Sequence, residues 1–574
     1  MPPRRSSRAA SAKPASKAAP SKPAAAPAKT NGVKRAASPE RASSPPPKRS
    51  RSAAPKSKSE AVPLAASNGR KKPLSRTSSA TKVAEPLKKS RKLSPVGEDA
   101  EEPKVPKEKA VKEPKPPKEH KQLKPYFNPL PTPPPKQRPG LLPFAWGAGN
   151  FGQFGMGPNV LGEVTKPKRN VWAEQQMEKN TFGDDNAGME SVTCGGLHTI
   201  FIDEKGTIWT CGVNDDAALG RITKDVPDPN NPGSFLSVDD LTSIPHPLES
   251  LVAEGFRAVK AVAGDSICAA ISDKGDMRAW GSFRVNSGAL GFSDGMQHQF
   301  TPMSILSLPV KPGDAEKASN IASGSNHVIV LTTHGNIYTW GAGEESQLGR
   351  RVLERRKIHG TIPEKMTLGN RRSRKAVYIG SGSMHSFAVD EDGDVWAWGL
   401  NSMGQLGTGW TSAEDNEVLL PQLVTTLSKE ALGGDKVVQI EGGTHHTLFL
   451  TAAGKIYACG RCDAGQLGLP DDHEAFKSPA NKDFIPEPTL VPFPASDDPV
   501  ISIAVGTHNN AAITKGGALY AWGQGVQGEL GLGDEEEVRT PQVIVRKEGG
   551  SWFAASVACG GQHTIGLFRR KEKA

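Results

Sequence analysis

The stretch CGGLHTIFIDEKGTIWTCG, residues 194–212, decides the fold. Its front phrase, CGGLHT, leads into an apolar run, and after a turn that contains Gly206 a back phrase closes on Cys-Gly. Apolar alternation on both sides of a glycine-containing turn is typical of a β-hairpin, because a tight turn needs a positive φ. The stretch therefore predicts antiparallel strands.

The same unit recurs along the chain. The front phrase occurs seven times, as CGGLHT (194), AGDSIC (263), SGSNHV (323), GSGSMHS (380), EGGTHHT (441), VGTHNN (505) and CGGQHT (559). The back phrase also occurs seven times, with its closing glycine at 147, 212, 281, 341, 399, 460 and 523. One small sheet cannot bury both of its faces, so we expect the copies to stack radially.

The two ends of this repeated region carry complementary halves of the unit. PFAWGAGNFGQFGMG at 143–157 has no front phrase before it, and CGGQHTIGLF at 559–568 has no back phrase after it. If the two halves share one sheet, the ring closes without a free edge. The sequence predicts an all-β fold, a seven-bladed β-propeller over residues 141–574.

Residues 1–140 have a different composition, with 34 Lys and Arg against 10 Asp and Glu and abundant Pro, Ala and Ser. Such a segment cannot bury enough apolar surface to offset its ordering entropy, so it is predicted to be a long disordered basic tail. Two basic clusters in it read as nuclear import signals. They contain Lys34, Arg35, Lys48, Arg49 and Arg51, and then Arg70, Lys71 and Lys72.

The repeat text, G-G-x-H-T followed by W-G-x-N-x-x-G-Q-L-G, resembles the regulator of chromosome condensation family over about residues 143–568. CGVNDDAALGR, WGSFRVNSGALGF and GLNSMGQLGTG are similar to the members that are nuclear exchange factors for the small GTPase Ran. The resemblance implies GDP release by stabilisation of the nucleotide-free GTPase, without covalent chemistry or a cofactor. It also implies a nuclear, chromatin-bound monomer whose partners are Ran, the nucleosome (histones and DNA) and importin, the last bound through the tail.

One back phrase is longer than the others. Six copies have six residues between the closing glycine and the next Leu-Gly or Phe-Gly, whereas the third has eight, SFRVNSGA, before Leu290. Loops tolerate small insertions, so the extra residues could be neutral. The resemblance implies instead a protruding β-wedge that pushes into the GTPase, formed by Val285, Asn286, Ser287, Gly288, Ala289, Leu290, Gly291 and Phe292.

The front phrases differ at positions that are predicted to ring the central shaft. The second phrase has Asp265, the third has Asn326, and the fifth has His445 followed by His446. The resemblance implies that an Asp, an acidic residue and a His at these places contact Ran. Asn326 keeps an acceptor but loses the charge, and either histidine of the fifth phrase could face the GTPase.

The other histidines of the front phrases are interpreted as structural hydrogen-bonding residues at blade junctions. They are His198, His327, His385, His508 and His563. Their scatter over the repeats argues against a metal site, which needs converging ligands.

A long basic loop follows Leu348-Gly349. Residues 350–375 contain ten Lys and Arg but only Glu354 and Glu364 as acidic residues, in a region that is otherwise acidic. A local reversal of charge indicates a negatively charged partner. The resemblance implies a nucleosome contact by Arg350, Arg351, Arg355, Arg356, Lys357, Arg371, Arg372, Arg374 and Lys375.

Other classes of protein fit less well. No apolar run approaches the length of about 18 residues that a membrane span needs, so no membrane association is expected. The sequence has no G-x-x-x-x-G-K-[ST] and no H-E-x-x-H motif, which argues against covalent catalysis. The alternative function is a chromatin-binding propeller scaffold without exchange activity, which Asn326 favours and the wedge insertion disfavours.

Overall fold

A computed structural model describes residues 125–370, 374–478, 483–494, 497–533 and 535–572. These residues form seven four-stranded antiparallel blades, and each innermost strand lies beside those of the neighbouring blades, the last beside the first. A parallel pairing of Ser381 with Glu441 joins two of the blades into one eight-stranded sheet. The predicted all-β propeller is confirmed. Residues 1–124, with both basic clusters, and Arg371 and Arg372 lie outside the described residues.

The blades are numbered in chain order, with strands given from the shaft outwards. Blade 1 is Met189–Cys194, His198–Asp203, Ile208–Gly212 and His246–Pro247; blade 2 is Ala258–Ala263, Cys268–Ser272, Met277–Gly281 and Gln299–Met303. Blade 3 is Ala318–Ser323, His327–Thr332, Ile337–Gly341 and Glu364–Met366; blade 4 is Ala376–Ser381, His385–Asp390, Val395–Leu400 and Glu417–Leu423. Blade 5 is Val437–Gly442, His446–Thr451, Ile456–Arg461 and Phe484–Leu490; blade 6 is Val500–Val505, Asn509–Thr514, Leu519–Gln524 and Glu537–Val545. Blade 7 is Trp552–Cys559, His563–Arg570, Leu142–Ala148 and Glu163–Arg169.

The remaining elements lie in the connections. They are the α-helices Val171–Glu178, Val238–Ser243 and Glu249–Glu254, and the 3₁₀ helices Glu354–Thr361, Ala413–Asn416, Thr425–Leu427 and Glu474–Lys477. Two short hairpins pair Arg284–Val285 with Gly288–Ala289, and Val310–Lys311 with Asp314–Ala315. In the part of the chain that the structure describes, no helix is long and apolar enough to cross a bilayer.

Blade 7 contains both half-repeats. Leu142–Ala148 runs antiparallel to His563–Arg570, with Leu142 opposite Phe568 and Gly147 opposite His563. Trp146, Phe568 and their neighbours are fully buried in the core of this blade. The pairing covers the inner edge that each half would otherwise expose, which is how a closed ring avoids free strand edges.

A repeated hydrogen bond joins neighbouring blades. In each pair, one partner occupies the position at which His327 starts the second strand of its blade. The other partner lies in the next blade, one residue after the equivalent position. The pairs are His198 Nε2 with Cys268 Sγ (3.0 Å), His327 Nε2 with Ser386 Oγ (2.8 Å), His385 Nε2 with Thr447 Oγ1 (2.8 Å), His446 Nε2 with Asn510 Oδ1 (2.9 Å), Asn509 Nδ2 with Thr564 Oγ1 (3.5 Å) and His563 Nε2 with Thr199 Oγ1 (2.8 Å).

The side chain that accepts each of these bonds donates in turn to a backbone carbonyl of the preceding blade. Ser386 Oγ, for example, donates to the carbonyl of Gln347 at 2.9 Å, and Thr447 Oγ1 donates to that of Gln405 at 2.7 Å. Because the hydroxyl proton is used in this way, the imidazole must donate the hydrogen on its Nε2. We refer to this set of bonds as the junction ring.

The glycine of the front phrase is required by the same contact. A Cβ on Gly382 would overlap Cε1 of His385, and one on Gly324 would overlap the carbonyl oxygen of Gly382. Real Cβ atoms do not approach so closely, so only glycine lets the imidazole and the next blade meet here.

The structure corrects the interpretation of one histidine. The sequence places His508 among the structural histidines, but Asn509 occupies the junction position of blade 6 and is buried. His508 stands one residue earlier and is half-buried on the rim of the shaft. The front phrase VGTHNN has its histidine one position before that of CGGLHT, and the shift of register explains the error.

Residues 125–140, which composition assigns to the tail, lie against the propeller. Asn128 is buried and its Nδ2 donates to the carbonyls of Thr332 and Ala376, both at 3.0 Å. Ser319 Oγ donates to the carbonyl of Pro129 at 2.6 Å. An ion pair joins Arg138 to Glu204 at 2.8 Å. Composition averaged over 140 residues conceals such a short anchored segment.

Acid is expected to weaken the junction ring. Burial lowers the pKa of His198 and His446 to about 4 and that of His327 and His563 to about 3, and it lowers the pKa of His385 as well. A histidine with a lower pKa in the folded state stabilises the fold above the unfolded value of about 6.5. This stabilisation is lost as the pH falls from about 6.5 towards 4, because only the unfolded chain takes up the proton.

The variant His385→Asn tests this expectation. The amide would face Thr447 as Asn509 faces Thr564, but it cannot titrate. Between pH 6.5 and 4.5, the free energy of unfolding should fall less steeply in the variant, by up to about 1.4 kcal/mol per pH unit. Urea unfolding at several pH values measures the two slopes, and equal slopes would contradict a neutral, buried imidazole.

Candidate functional site

The insertion of the third back phrase forms a hairpin that projects from blade 2. Arg284 pairs with Ala289 and Val285 pairs with Gly288, so Asn286 and Ser287 form the turn. Both turn residues are exposed. We call residues 284–289 the wedge. The face of the disc from which it rises, formed by the loops after the first and third strands of each blade, is called the wedge face.

The last three residues of the predicted wedge form its base instead. Phe292 is only 3% exposed, and its ring lies 5.4 Å from that of Phe283 in an edge-to-face arrangement. The backbone N–H groups of Leu290 and Gly291 both donate to the carbonyl of Phe283, at 2.8 and 3.1 Å. Leu290, Gly291 and Phe292 therefore hold the hairpin on the blade, and Val285–Ala289 are the part that projects.

Asp265 and Asn326, both predicted from the front phrases, meet at the foot of the wedge. Asn326 Oδ1 accepts the backbone N–H of Arg284 at 2.9 Å, and Asn326 Nδ2 donates to Asp265 Oδ2 at 3.2 Å. This position needs one acceptor and one donor, which an amide supplies. A carboxylate would keep the first bond but would face the carboxylate of Asp265.

Asp216, which the repeat pattern does not single out, supports the wedge from the side of blade 1. Its carboxylate pairs with Arg284 at 2.5 Å, lies 3.1 Å from His298 Nε2, and accepts from Ser266 Oγ at 3.2 Å. Burial opposes ionisation of Asp216, but the bonds from Arg284 and His298 outweigh it and hold the pKa of Asp216 below its usual value. The blade 1 phrase VNDDAA has the ordinary length, so only its Asp-Asp pair could have drawn attention.

Two residues from blade 3, Glu344 and Lys357, contact the tip of the wedge. The sequence analysis does not identify Glu344. The backbone N–H of Asn286 donates to Glu344 Oε2 at 2.8 Å, and Lys357 Nζ donates to Ser287 Oγ at 2.9 Å. Lys357 Nζ also lies 3.6 Å from Glu344 Oε1. Nothing in the phrase AGEESQ distinguishes Glu344 from an ordinary exposed charge.

The structure separates the two histidines of the fifth phrase. His446 is buried and belongs to the junction ring, whereas His445 is half-buried on the wedge face, with its Nδ1 3.4 Å from Gln405 Nε2. His508 occupies the corresponding place in blade 6. Burial lowers the pKa of both His445 and His508, and the positive charge of Arg461 lowers both further. Of the two predicted alternatives, His445 is the one that a partner could reach.

The basic loop does not form a single surface. Arg350 is turned inwards, where it pairs with Glu364 at 3.0 Å and donates to the carbonyls of Gly360 and Ile362. Arg374 and Lys375 belong to the opposite face of the disc: Arg374 pairs with Asp390 at 2.5 Å, and Lys375 Nζ lies 4.4 Å from the ring of Phe127. Arg351, Arg355 and Arg356 are exposed.

The central shaft encloses a cavity of about 620 Å³ lined by the innermost strands. Lys260 Nζ donates to Asn320 Oδ1 at 2.7 Å. Burial lowers the pKa of Lys260 and raises that of Glu441, and the attraction between the two charges opposes both shifts. Among the described residues, no three His, Cys, Asp or Glu side chains are grouped to hold a metal ion.

The part of the chain that forms the propeller is similar to known proteins. A profile of the RCC1-like domain matches residues 143–566. Protein pim1 of Schizosaccharomyces pombe is 36% identical over 447 residues, which cover 76% of this chain and 76% of that protein. Guanine nucleotide exchange factor SRM1 of Saccharomyces cerevisiae is 32% identical over 441 residues, which cover 74% of this chain and 86% of that protein.

Solved structures agree with these matches. The crystal structure of Prp20p from Saccharomyces cerevisiae, described with its binding properties to Gsp1p and histones, has a TM-score of 0.64 at 30% identity and covers 78% of this chain and 93% of that chain. The crystal structure of Kap60 bound to yeast RCC1 (Prp20) has a TM-score of 0.65 at 29% identity, with coverages of 82% and 97%. The similarity thus extends over most of this chain and nearly all of each matched chain.

The division of the wedge into tip and base can be tested by stability. Phe292→Ala should lower the free energy of unfolding by about 3–5 kcal/mol, because it leaves a cavity beside Phe283. Asn286→Ala and Ser287→Ala should each change it by less than about 0.5 kcal/mol, since both side chains are exposed. Denaturant unfolding of the three variants decides the matter, and a near-neutral Phe292→Ala would contradict a base role.

Proposed function

The chain belongs to the RCC1-like domain family, and from this membership we propose that it is a guanine nucleotide exchange factor for the small GTPase Ran. It acts by binding alone, without a covalent step. Two named similarities support the proposal: the yeast relative SRM1 is a guanine nucleotide exchange factor, and Prp20p is described with its binding to Gsp1p.

The observation that carries the proposal is the wedge. Among seven back phrases, the third alone has the two-residue insertion, and there a hairpin projects with an exposed Asn286-Ser287 tip. Asp265 and Asn326 support its foot, and His445 lies on the same face. A projecting element held on a rigid disc suits a protein that must occupy space in a partner's nucleotide site.

The mechanism follows from differential affinity. The factor accelerates release if it binds the nucleotide-free GTPase more tightly than the loaded form, and a difference of about 7 kcal/mol corresponds to about 10⁵-fold. By linkage, excess nucleotide must then displace the factor. The nucleotide loaded is therefore the one that is abundant, which in the nucleus generates Ran-GTP for nucleocytoplasmic transport and mitosis.

We further propose that the protein is nuclear and associates with chromatin as a monomer. The binding of yeast Prp20p to histones supports the chromatin contact, and the Kap60 complex of the yeast protein supports import through the basic tail. Arg350, Arg374 and Lys357 already have partners. Of the other loop cations predicted to contact the nucleosome, Arg351, Arg355 and Arg356 are exposed. These three cations lie in the connection that follows the third strand of blade 3.

Exchange is tested with the full chain and Ran loaded with fluorescent GDP. Release should be fast with the wild-type chain and should be lost in a variant that lacks Asn286 and Ser287, because the wedge no longer reaches the partner. Circular dichroism and the unfolding midpoint provide the folding control. Slow release from both proteins, with both folded, would favour a chromatin-binding scaffold without exchange activity.

The loop is tested separately with the variant Arg351→Ala, Arg355→Ala, Arg356→Ala. Its affinity for nucleosomes should fall, and the slope of log affinity against log salt should decrease by about 0.9 for each phosphate contact removed. GDP release from Ran in the absence of nucleosomes should stay within about twofold of the wild-type rate. An unchanged nucleosome affinity and slope would show that these three arginines do not contact the nucleosome.

A further inference from the structure

We propose that Glu344 and Lys357 are positioning residues that hold the tip of the wedge in the shape that nucleotide exchange requires. The inference rests on the proposed exchange function. Neither residue is assigned to the wedge by the repeat pattern, since Glu344 lies in an ordinary back phrase and Lys357 lies in the basic loop.

The wedge cannot hold its own shape. Its two strands have two residues each, and only two residue pairs form the ladder. An isolated two-stranded hairpin is marginal in water even when it is longer. Gly288, with a φ of +121° and no side chain, adds freedom next to the tip. A wedge that displaces a bound nucleotide therefore needs external support.

The foot of the wedge receives this support from both neighbouring blades. Asn326 of blade 3 accepts the backbone N–H of Arg284, and Asp216 of blade 1 pairs with the Arg284 guanidinium. These contacts fix where the hairpin leaves the disc. They do not reach the turn, which lies two residues further on.

Glu344 and Lys357 supply the support at the turn. The Glu344 carboxylate accepts the backbone N–H of Asn286 at 2.8 Å, so it fixes the main chain of the tip and not only a side chain. Lys357 Nζ donates to Ser287 Oγ at 2.9 Å and lies 3.6 Å from Glu344. Hydrogen bonds with an ionised partner are stronger than neutral ones, and side-chain exposures of 18% for Glu344 and 31% for Lys357 limit screening by water.

The geometry separates Lys357 from the other cations of its loop. Arg355 and Arg356 are exposed, whereas Lys357 is directed to the wedge and to Glu344. Blade 3 thus braces a hairpin that blade 2 provides. We expect loss of the brace to reduce kcat, because a loose tip resists the returning nucleotide poorly. The KM for loaded Ran should change little, because the remaining contacts of the wedge face are intact.

The experiment uses the full chain with Glu344→Ala, Glu344→Gln and Lys357→Ala. Glu345→Ala and Lys365→Ala are the matched controls: Glu345 is in the same back phrase as Glu344, Lys365 is in the same loop as Lys357, and the positions are half-buried and exposed, respectively. Release of fluorescent GDP from Ran gives kcat and KM. Hydrogen–deuterium exchange of a peptide spanning residues 283–292, measured on the factor alone, reports the order of the wedge.

For Glu344→Ala and Lys357→Ala we expect kcat to fall about five- to tenfold with KM within twofold. Glu344→Gln should be intermediate, because its amide oxygen still accepts from Asn286 while the ion pair with Lys357 is lost. Deuterium uptake in the wedge peptide should be faster in the two alanine variants, and both controls should match the wild type.

Three outcomes would overturn the inference. Wild-type kcat and wild-type deuterium uptake in Glu344→Ala would show that the tip needs no brace. A raised KM with unchanged kcat would show that Glu344 or Lys357 contacts Ran directly. If Glu344→Gln were as impaired as Glu344→Ala, the bond to the Asn286 amide would not matter. A wild-type chain without exchange activity would instead refute the proposed function, and the deuterium uptake would still test the brace.

Discussion

The propeller depends on one repeated interaction, the hydrogen bonds of the junction ring, in which a side chain of one blade donates to the next blade and the acceptor donates back to a carbonyl. His327 of blade 3 donates to Ser386 of blade 4, whose hydroxyl donates back to the carbonyl of Gln347 in blade 3. The Nε2 group of His327 and the hydroxyl of Ser386 are both buried and each depends on the other for a partner, so each member restricts the others. Gly382 is part of the same restriction, since a Cβ there would overlap the ring of His385. The repeated sequence G-x-x-H-[ST] supplies the glycine, the imidazole and the hydroxyl that this geometry requires.

The junction ring is interrupted at the junction between blades 2 and 3, and the wedge explains the interruption. Ala289 stands where the other loops provide their acceptor carbonyl, but here it pairs with Arg284 within the wedge. A hydroxyl at position 328 would therefore be a buried donor without an acceptor, and Val328 and Ile267 replace the polar pair within one apolar cluster.

The fold could be predicted from the sequence because it is repeated: seven copies of one phrase report the same backbone constraint seven times. The place of the wedge could be predicted for the converse reason, since two extra residues are visible against six regular copies. Asp216 and Glu344 could not be found in this way. Each is a charged residue in a loop of ordinary length, and its role appears only when a neighbouring blade brings Arg284 or Asn286 within hydrogen-bonding distance.

The structure also changes the meaning of Asn326. In the sequence, Asn326 stands where an acidic residue is expected and lacks its negative charge. That difference alone favours a propeller that does not act on a GTPase. In the structure its amide serves two partners at once, Asp265 and the backbone of Arg284. An aspartate would place two carboxylates about 3 Å apart, which raises the pKa of one of them and costs stability unless it is protonated. Asn326 is therefore compatible with a rigid wedge, and the argument for a scaffold loses the observation on which it depended.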